Sequence, residues 1–148
     1  MKCEVYVDGS YMEQGDDKVY GSGFYLDATN LPEPVECSFG DRDPIFVGMR
    51  NVAGEIFAAL RAMELIIELG FWDEVDLYYD YQGIESWVTG EWRAKNPATQ
   101  AYRDVMRDRQ KKIKINFHKV AGHTGVYGNE RADKLARAGC NQTLRIAV

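Results

Sequence analysis

The hydrophobic pattern of this chain changes its period near residue 51, and that change limits the folds open to it. Residues 2–8 alternate in the two-residue period of a strand, with Cys3, Val5 and Val7 on one face. Residues 52–69 instead repeat apolar side chains every three or four positions, as one face of a helix does. The short apolar run over 75–79 predicts a further strand. A strand reached through a helix of this length lies parallel to its neighbour, so the pattern predicts a mixed sheet.

The remaining segments complete an α/β pattern. Strands are predicted over 19–26 and within 34–47, which the turn-like stretch 40–44 interrupts, with a hairpin loop over 13–17. Helices are predicted over 82–90, from Asn96-Pro97 to about Lys111, and from about Asn129 to Ala138, where Gly139 ends the last one. A strand over 113–119 and a loop over 121–127 precede that last helix. The predicted order is β-β-β-α-β-α-α-β-α, and residues 1–148 are expected to form one domain.

The bulk properties exclude several classes of protein. A chain of 148 residues can bury a full core, and 45% hydrophobic and 28% charged residues are typical of globular domains. No apolar run approaches the ~20 residues that span a bilayer, and the N-terminus does not resemble a signal peptide. Cys3, Cys37 and Cys140 lack the spacing of a disulfide framework or a zinc site, so we expect reduced thiols. These features predict a cytoplasmic protein.

The charge distribution is uneven. A net charge of −5 is unusual for a protein that binds nucleic acid, because phosphates require basic groups. Nine basic residues nevertheless cluster in one interval. They are Arg93, Lys95, Arg103, Arg107, Arg109, Lys111, Lys112, Lys114 and Lys119. This interval is the predicted basic surface of the chain.

Four carboxylates occupy positions that the predicted topology brings together. Asp8 lies at the C-terminal end of strand one and Asp80 at the C-terminal end of the crossover strand, so both should project from one edge of the sheet. Glu55 lies in the first turn of its helix, on the apolar face that should meet the sheet. Asp133 lies one turn into the last helix, beside small residues. A charged group seldom faces a core unless it is paired or bound to a metal.

Four acids cannot gather without cations, because two carboxylates ~4 Å apart repel by roughly 4 kcal/mol at an effective dielectric of about 20. Oxygen-only ligands suit Mg²⁺, or Mn²⁺ as a substitute, rather than zinc. Two such ions clamp the attacking and leaving oxygens of a phosphoryl displacement, so the pattern predicts a phosphodiester substrate. Three of the acids also have structural explanations of their own: Asp8 in a turn, Asp80 as a helix N-cap, and Glu55 near a favourable helix dipole.

Four segments resemble motifs of the type 1 ribonuclease H family, in the family's order and over essentially the whole chain. They are Tyr-Val-Asp-Gly-Ser (6–10), Asn-Val-Ala-Gly-Glu with Ala-Leu-Arg-Ala-Met-Glu (within 51–64), Leu-Tyr-Tyr-Asp-Tyr-Gln-Gly-Ile (77–84) and Gly-His-Thr-Gly-Val-Tyr-Gly-Asn-Glu-Arg-Ala-Asp-Lys-Leu-Ala (122–136). The resemblance implies a ribonuclease H-like α/β fold, a five-stranded mixed sheet with helices on both faces. It implies endonucleolytic hydrolysis of the RNA strand of RNA–DNA hybrids by a metal-activated water, leaving 3′-hydroxyl and 5′-phosphate ends. The implied ligands of two Mg²⁺ ions are Asp8, Glu55, Asp80 and Asp133.

The resemblance also implies roles for residues near the acids. His123 matches a catalytic histidine in a mobile loop, which assists proton transfer or product release. The implied substrate-binding residues are Gly9, Ser10, Asn51 and Gln82; helix capping is the alternative for Asn51. Glu130 matches an acid near the site, and Asn129 is predicted to be an N-cap. His118 lies within a strand and is predicted to be a structural or surface residue.

Two departures from the family pattern stand out. The interval between Trp92 and Lys119 looks too short for a full basic protrusion, and we expect no N-terminal hybrid-binding domain, since strand one begins at Lys2. Both lead us to expect weaker, less processive binding. Trp87 and Trp92, near basic residues, are predicted either to line a channel for the DNA strand or to pack in the core.

Two alternatives stay open at this point. One is a relative with the same metal site that cuts double-stranded RNA or structured DNA. The other is a hybrid-binding module that has lost turnover, although a pure binder has no need of four converging carboxylates. The expected partner is an RNA–DNA hybrid, without membrane association, and the chain is expected to be a monomer.

Overall fold

Five strands form one mixed sheet in the computed structural model, which describes residues 1–121 and 125–146. The strands are β1 (Lys2–Gln14), β2 (Asp17–Asp27), β3 (Val35–Asp41), β4 (Glu74–Tyr79) and β5 (Lys114–Lys119), in the spatial order β3-β2-β1-β4-β5. β2 pairs antiparallel with β1 and β3, whereas β4 lies parallel to β1 and β5. The mixed sheet and the parallel crossover strand predicted from the sequence are confirmed.

Within the described residues, four α-helices flank this sheet, and they follow the predicted order. They are α1 (Asn51–Leu69), α2 (Gly83–Thr89), α3 (Pro97–Gln110) and α4 (Tyr127–Arg145). A Cβ on Gly9 would overlap the first turn of α1, whereas a Cβ on Gly23 would overlap the backbone of α4 at Ala132. Gly9 pairs with Ser22, and successive strand residues point to opposite faces. The helices α1 and α4 therefore lie on opposite faces of the sheet, as predicted.

The hydrophobic core fills the space between the sheet and the helices α1, α2 and α3. Val5, Phe24, Ile56 and Leu77 are among its fully buried side chains. The Tyr102 hydroxyl of α3 donates a hydrogen bond of 2.6 Å to the carbonyl of Ile84 in α2. Burial of each large apolar side chain contributes roughly 1.5–3 kcal/mol, so this core fixes α1 against the strands.

Two helix boundaries follow local sequence signals. The helix α1 ends at Gly70, which adopts the left-handed conformation with φ of 69°. The helix α3 begins after Asn96, whose side-chain oxygen accepts the N–H of Thr99 at 2.9 Å, and Pro97 occupies the first helical position.

β1 is longer than predicted. The sequence predicts a strand over 2–8 and a loop over 13–17, but β1 continues to Gln14, and only Gly15 and Asp16 form the turn. The ladder with β2 runs without a break from Glu4 to Gln14, so Gly9 and Ser10 belong to the strand. In the same way, β3 passes through Gly40 and reaches Asp41, so the predicted interruption at 40–44 begins too early.

α4 also exceeds its predicted bounds. It begins at Tyr127, with Val126 as the N-cap, so the prediction that Asn129 caps this helix is wrong. The helix continues through Gly139 to Arg145, so the prediction that Gly139 ends it is wrong as well. A Cβ at Gly139 would overlap the carbonyl oxygen of Phe39, which shows that this glycine allows α4 to pack closely on β3.

The cysteines and the helix lengths bear on two further expectations. Cys3, Cys37 and Cys140 are free thiols, as predicted, and burial raises the pKa of Cys3 to about 12. Within the described ranges, no helix is long and apolar enough to span a bilayer.

Candidate active site

Asp8 and Asp80 lie at the edge of the sheet where β4 ends. β4 pairs with β1 as far as Tyr78 opposite Tyr6, and Asp80 follows the last residue of β4. Asp8 is two residues past Tyr6, just beyond the part of β1 that β4 covers. The prediction that Asp8 ends its strand is wrong, because β1 continues into the β1–β2 hairpin. The end of β4, not the end of β1, defines this edge.

Glu55 reaches the same edge from α1. Its side chain is buried, with 3% of the residue exposed. The two carboxylate oxygens accept hydrogen bonds from the backbone N–H groups of Asp80 at 3.2 Å and Tyr81 at 3.0 Å. Glu55 therefore holds the segment that follows β4, and it does not serve as a dipole partner for its own helix.

Asp133 approaches from α4 on the other face of the sheet. It lies almost two turns into the helix, because α4 begins earlier than predicted. Its carboxylate receives a hydrogen bond of 2.8 Å from the guanidinium of Arg137, one turn along the helix. It also interacts with Asp8 by a side-chain hydrogen bond and by charge repulsion. Asp8 thus stands between acids contributed by both layers of helices.

The electrostatics of the four acids link them into one cluster. Burial raises the pKa of Asp8 to about 7, and repulsion from Asp133 and Asp80 adds to this rise. Burial also raises the pKa of Glu55 to about 8, with a further contribution from the Asp8 carboxylate. The hydrogen bonds that Glu55 accepts from two backbone N–H groups lower its pKa, but they do not cancel the effect of burial. Two of the four acids therefore favour the protonated form near neutral pH when no cation is bound.

The stability of the metal-free protein should therefore fall as the pH rises from about 5 to about 8. In this window Asp8 and Glu55 keep protons in the folded chain, whereas the unfolded chain releases them near their ordinary pKa values of 3.8 and 4.5. Since the folded state binds more protons, the free energy of unfolding decreases with pH and levels off above pH 8. The check is the Tm in EDTA at each pH; a Tm that rises over this window would contradict the two raised pKa values. Asp8→Asn should flatten the slope.

The donor chemistry of the cluster fits a hard divalent cation. All four side chains offer carboxylate oxygens, and neither sulfur nor imidazole contributes. In the described part of the chain, no group of three or more acidic, cysteine or histidine side chains already stands in metal-holding positions. Asp133 is engaged by Arg137 and Glu55 by backbone N–H groups, so a cation would have to compete with both contacts.

Comparison with known proteins identifies the family of the chain. The family model described as RNase H matches residues 1–141. The chain belongs to the RNase H family. The resemblance found in its sequence motifs is thereby confirmed, and the fold agrees with it.

Curated relatives named Ribonuclease H align with this chain over part of their length. A Ribonuclease H of Brucella anthropi is 37% identical over 97 aligned positions, which cover 57% of this chain and 60% of that protein. Human Ribonuclease H1 is 32% identical over an alignment that covers 94% of this chain and 50% of the human protein. The chain thus spans about half to three fifths of the length of these relatives.

Solved RNase H structures share the fold at low sequence identity. RNase H1 from Halobacterium salinarum superposes with a TM-score of 0.76 at 24% identity, covering 97% of this chain and 100% of that one. LC11-RNase H1, solved in complex with an RNA/DNA hybrid, superposes with a TM-score of 0.71 at 19% identity, covering 96% of this chain and 99% of that one. These likenesses confirm the predicted five-stranded RNase H-like architecture.

The four residues predicted to contact substrate lie near the edge of the sheet where β4 ends. Gly9 packs on the first turn of α1, and Ser10, one residue further along β1, interacts with the Cys140 thiol. Asn51 is exposed at the first position of α1. The helix N-cap is Arg50 and makes no side-chain capping bond, so the capping alternative for Asn51 is wrong. Gln82 donates a hydrogen bond of 2.9 Å from its amide to the Ser86 hydroxyl.

Both histidines and the remaining acid can now be located. His123 falls outside the described residues. His118 lies on β5, where its Nε2 is 3.1 Å from Asp76 and its ring stacks on Tyr78. These contacts give it the structural role that its strand position predicts. Glu130 is exposed on the first turn of α4.

An aromatic and basic cleft lies beside α2. Trp87, Trp92, Arg93 and Lys95 line its volume of about 470 Å³. Trp87 is 8% exposed and also contacts Tyr102, whereas Trp92 is 38% exposed. Trp87 therefore packs in the core as well as lining the cleft, so the two predicted roles are not exclusive. We call this feature the Trp87–Trp92 cleft.

Other members of the basic interval are engaged within the protein. Arg107 donates to the carbonyl of Val88 at 2.9 Å, and Arg103 pairs with Asp104 at 2.8 Å. Between Trp92 and β5 the chain forms α3. The sequence did not single out Arg137 or Tyr81, although the four-residue spacing from Asp133 and the position after Asp80 were visible signals.

Proposed function

We propose that this chain is an endonuclease that hydrolyses the RNA strand of RNA–DNA hybrids. The observation that carries the proposal is the electrostatic cluster in which Asp8 interacts with Glu55, Asp80 and Asp133 at the end of β4. These residues stand at the positions that match the family's catalytic acids. The likeness to LC11-RNase H1, which was solved with an RNA/DNA hybrid, supports the choice of substrate.

We further propose that the four carboxylates bind two Mg²⁺ ions, for which Mn²⁺ can substitute. Bound cations would polarise the scissile phosphate and activate the attacking water, giving 3′-hydroxyl and 5′-phosphate ends. The raised pKa values of Asp8 and Glu55 support this, because burial and, to a lesser degree, mutual repulsion favour the protonated forms, and cations would stabilise the charged forms instead. Asp8 and Asp80 hold the ligand positions on the sheet, while Glu55 and Asp133 hold those on the helices.

The surrounding residues would bind and orient the hybrid. Asn51 and Gln82 carry amides that can both donate to and accept from a 2′-hydroxyl or a base edge, and Gly9 and Ser10 adjoin Asp8. The exposed side chains of Arg93 and Lys95 supply positive charge for the phosphates. His123 is proposed to assist proton transfer or product release. Three free cysteines suit a reducing compartment, which supports a cytoplasmic location, and we propose a monomer.

The test is cleavage of labelled duplexes by the purified chain. RNA–DNA hybrid, RNA duplex and DNA duplex are incubated with Mg²⁺ or with EDTA. The proposal expects cuts in the RNA strand of the hybrid alone, and EDTA abolishes them. Cleavage of the RNA or DNA duplex instead would replace the proposed substrate, and binding of the hybrid without cleavage in Mg²⁺ would refute the enzyme.

Replacing Arg137 by glutamine should raise the affinity for Mg²⁺ by about twofold. The Arg137 guanidinium occupies an oxygen of Asp133 that a cation needs, and an exposed pair at this helical spacing contributes roughly 0.3–0.5 kcal/mol. A Mg²⁺ titration followed by Tm or calorimetry measures the change. Arg145→Gln, at the end of the same helix, is the matched control for the loss of one charge. Weaker Mg²⁺ binding in Arg137→Gln would mean that Arg137 positions Asp133 instead.

A further inference from the structure

Two side chains of β3, at the edge of the sheet, bond to the turn of α4 that carries Asp133. The Arg131 guanidinium donates from Nε and Nη2 to the two carboxylate oxygens of Glu36, at 2.6 Å and 3.0 Å. The Ser38 hydroxyl donates to the backbone carbonyl of Leu135 at 2.6 Å. Since Arg131 precedes Asp133 and Leu135 follows it, the two attachments bracket the acid.

The backbone of α4 lies directly against the sheet at this point. Ser38 is opposite Gly23 in the ladder between β3 and β2. A Cβ on Gly23 would lie 2.4 Å from the carbonyl oxygen of Ala132 and 2.4 Å from the backbone nitrogen of Ala136. Glycine and alanine present no large side chains that interlock, so this contact sets the distance of α4 from the sheet more firmly than its rotation about its own axis.

Arg131 and Asp133 lie on opposite flanks of α4. Successive residues of an α-helix are about 100° apart around the axis, so side chains two positions apart point to nearly opposite sides. On one flank, Arg131 meets Glu36 of β3. On the other flank, Asp133 interacts with Asp8 of β1. The bonds to β3 therefore restrain the rotation of α4 that decides where the Asp133 carboxylate points.

A small rotation of α4 has a large effect on this carboxylate. The ends of helical side chains lie roughly 5–6 Å from the axis, so a rotation of about 10° moves them by about 1 Å. A misplacement of about 1 Å can lower the rate of a catalysed reaction by about 100-fold. The orientation of α4 is thus a requirement of the candidate active site as well as of the fold.

We propose that Arg131, acting with Glu36, and Ser38 are positioning residues that hold Asp133 beside Asp8 for metal binding. The inference rests on the proposed function, because it takes Asp133 as a Mg²⁺ ligand. In this role the side chains on β3 act on the acid through the backbone of α4 and do not contact the metal or the substrate.

A second ion pair on α4 supplies the matched control. Arg42 donates from Nε and Nη2 to the two carboxylate oxygens of Asp17, at 3.0 Å each, and from Nη2 to the carbonyl of Thr143 at 2.7 Å. Like Arg131, it ties α4 to the sheet through both oxygens of one carboxylate. Thr143, however, lies near the end of the helix that is remote from Asp133.

The test compares Arg131→Met and Ser38→Ala with Arg42→Met. Methionine keeps an apolar stem in place of arginine but has no donor group. The Kd for Mg²⁺ is measured by calorimetry without substrate, and kcat and KM are measured on a labelled hybrid. Arg131→Met and Ser38→Ala should each weaken Mg²⁺ binding and lower kcat by about tenfold, at the low end of the losses seen when the support of a metal ligand is removed. KM should stay close to the parental value.

The control variant should lose stability without losing the metal. Arg42→Met should lower the Tm about as much as Arg131→Met does, yet keep the parental Kd for Mg²⁺ and the parental kcat. Each variant is first checked for a cooperative thermal transition. If Arg131→Met does not fold, Ser38→Ala, which removes one hydroxyl group, decides the inference.

The sign of the change separates positioning from charge. Arg131→Met removes a positive charge near the acids, so electrostatics alone would strengthen Mg²⁺ binding. Exchanging the partners, Glu36→Arg with Arg131→Glu, restores an ion pair and should recover most of the Mg²⁺ affinity. In an Asp133→Asn background, Arg131→Met and Ser38→Ala should have no further effect on that affinity, because their effect acts through Asp133.

Two results would overturn the inference. One is a parental Kd for Mg²⁺ in both Arg131→Met and Ser38→Ala. The other is equal weakening by Arg131→Met and Arg42→Met, which would mean that both ion pairs merely keep α4 on the sheet. The proposed function can fail separately. If the parent binds Mg²⁺ but cuts another duplex, the proposed substrate is wrong and the Mg²⁺ affinities still decide the inference. If the parent binds no Mg²⁺, both are refuted.

Discussion

Replacing Asp8 by asparagine should abolish cleavage of the hybrid while leaving the fold intact. Asp8 interacts electrostatically with all three other acids, so it is the central residue of the cluster. Loss of a group that only orients a metal ligand already costs roughly 10–100-fold, and loss of a ligand should cost more than about 100-fold. The measurement is the initial rate of RNA-strand cleavage at saturating Mg²⁺.

The stability of the same variant provides an independent readout. Removing a partly buried carboxyl group that repels its neighbours should raise the Tm in EDTA at pH 8, where the charged acids destabilise the parent most. Asp16→Asn, in the exposed turn of the β1–β2 hairpin, is the matched control and should change neither rate nor Tm. Retained cleavage by Asp8→Asn would remove Asp8 from the catalytic set.

Replacing Gly9 by alanine should destabilise the protein by about 3 kcal/mol or more and remove activity. A Cβ there would overlap the carbonyl oxygen of Asn51 and the backbone nitrogen of Glu55. These are backbone atoms of α1, so relief requires α1 to move away from β1, and overpacking of this kind costs at the upper end of its usual range. Any such movement also carries Glu55 away from Asp80.

A second glycine supplies the control for this steric argument. Gly48 precedes α1 and has open space around its Cα, so Gly48→Ala should keep the parental Tm and activity. Urea unfolding of both variants measures the difference. A parental free energy of unfolding for Gly9→Ala would contradict the close packing of β1 against α1.

Features of the fold that rest on repeating hydrophobic patterns could be predicted from the sequence. The alternation at the start of β1 and the helical spacing of α1 survive in the structure because one face of each is buried. The parallel crossover follows from chain length and chirality. These signals depend on many residues at once, so no single side chain disturbs them.

Glycine-containing segments were harder to predict, because glycine has two uses that look alike in sequence. Gly9 and Gly139 were both assigned to ends of elements, yet each lies inside one, where its missing side chain lets a neighbouring element approach. Whether a glycine turns the chain or admits a neighbour depends on tertiary packing, which local sequence does not encode.

The candidate site was predictable as a set of acids but not in its contacts. Asp80 and Glu55 follow from strand order and helix face. The hydrogen bonds that the N–H groups of Asp80 and Tyr81 donate to the Glu55 carboxylate depend on the distance between α1 and β4, which only the packed structure defines. The engagement of Asp133 by Arg137 depends on rotamers that a metal would change.

The most direct test of the central claim is the identity of the ends that cleavage produces. RNA fragments released from a hybrid in Mg²⁺ are analysed for their terminal groups by mass spectrometry. Attack by an activated water at a carboxylate metal site predicts 5′-phosphate and 3′-hydroxyl ends, an intact DNA strand and no products in EDTA. Fragments with 2′,3′-cyclic phosphate ends, or cuts that persist in EDTA, would show that the four carboxylates do not perform the reaction.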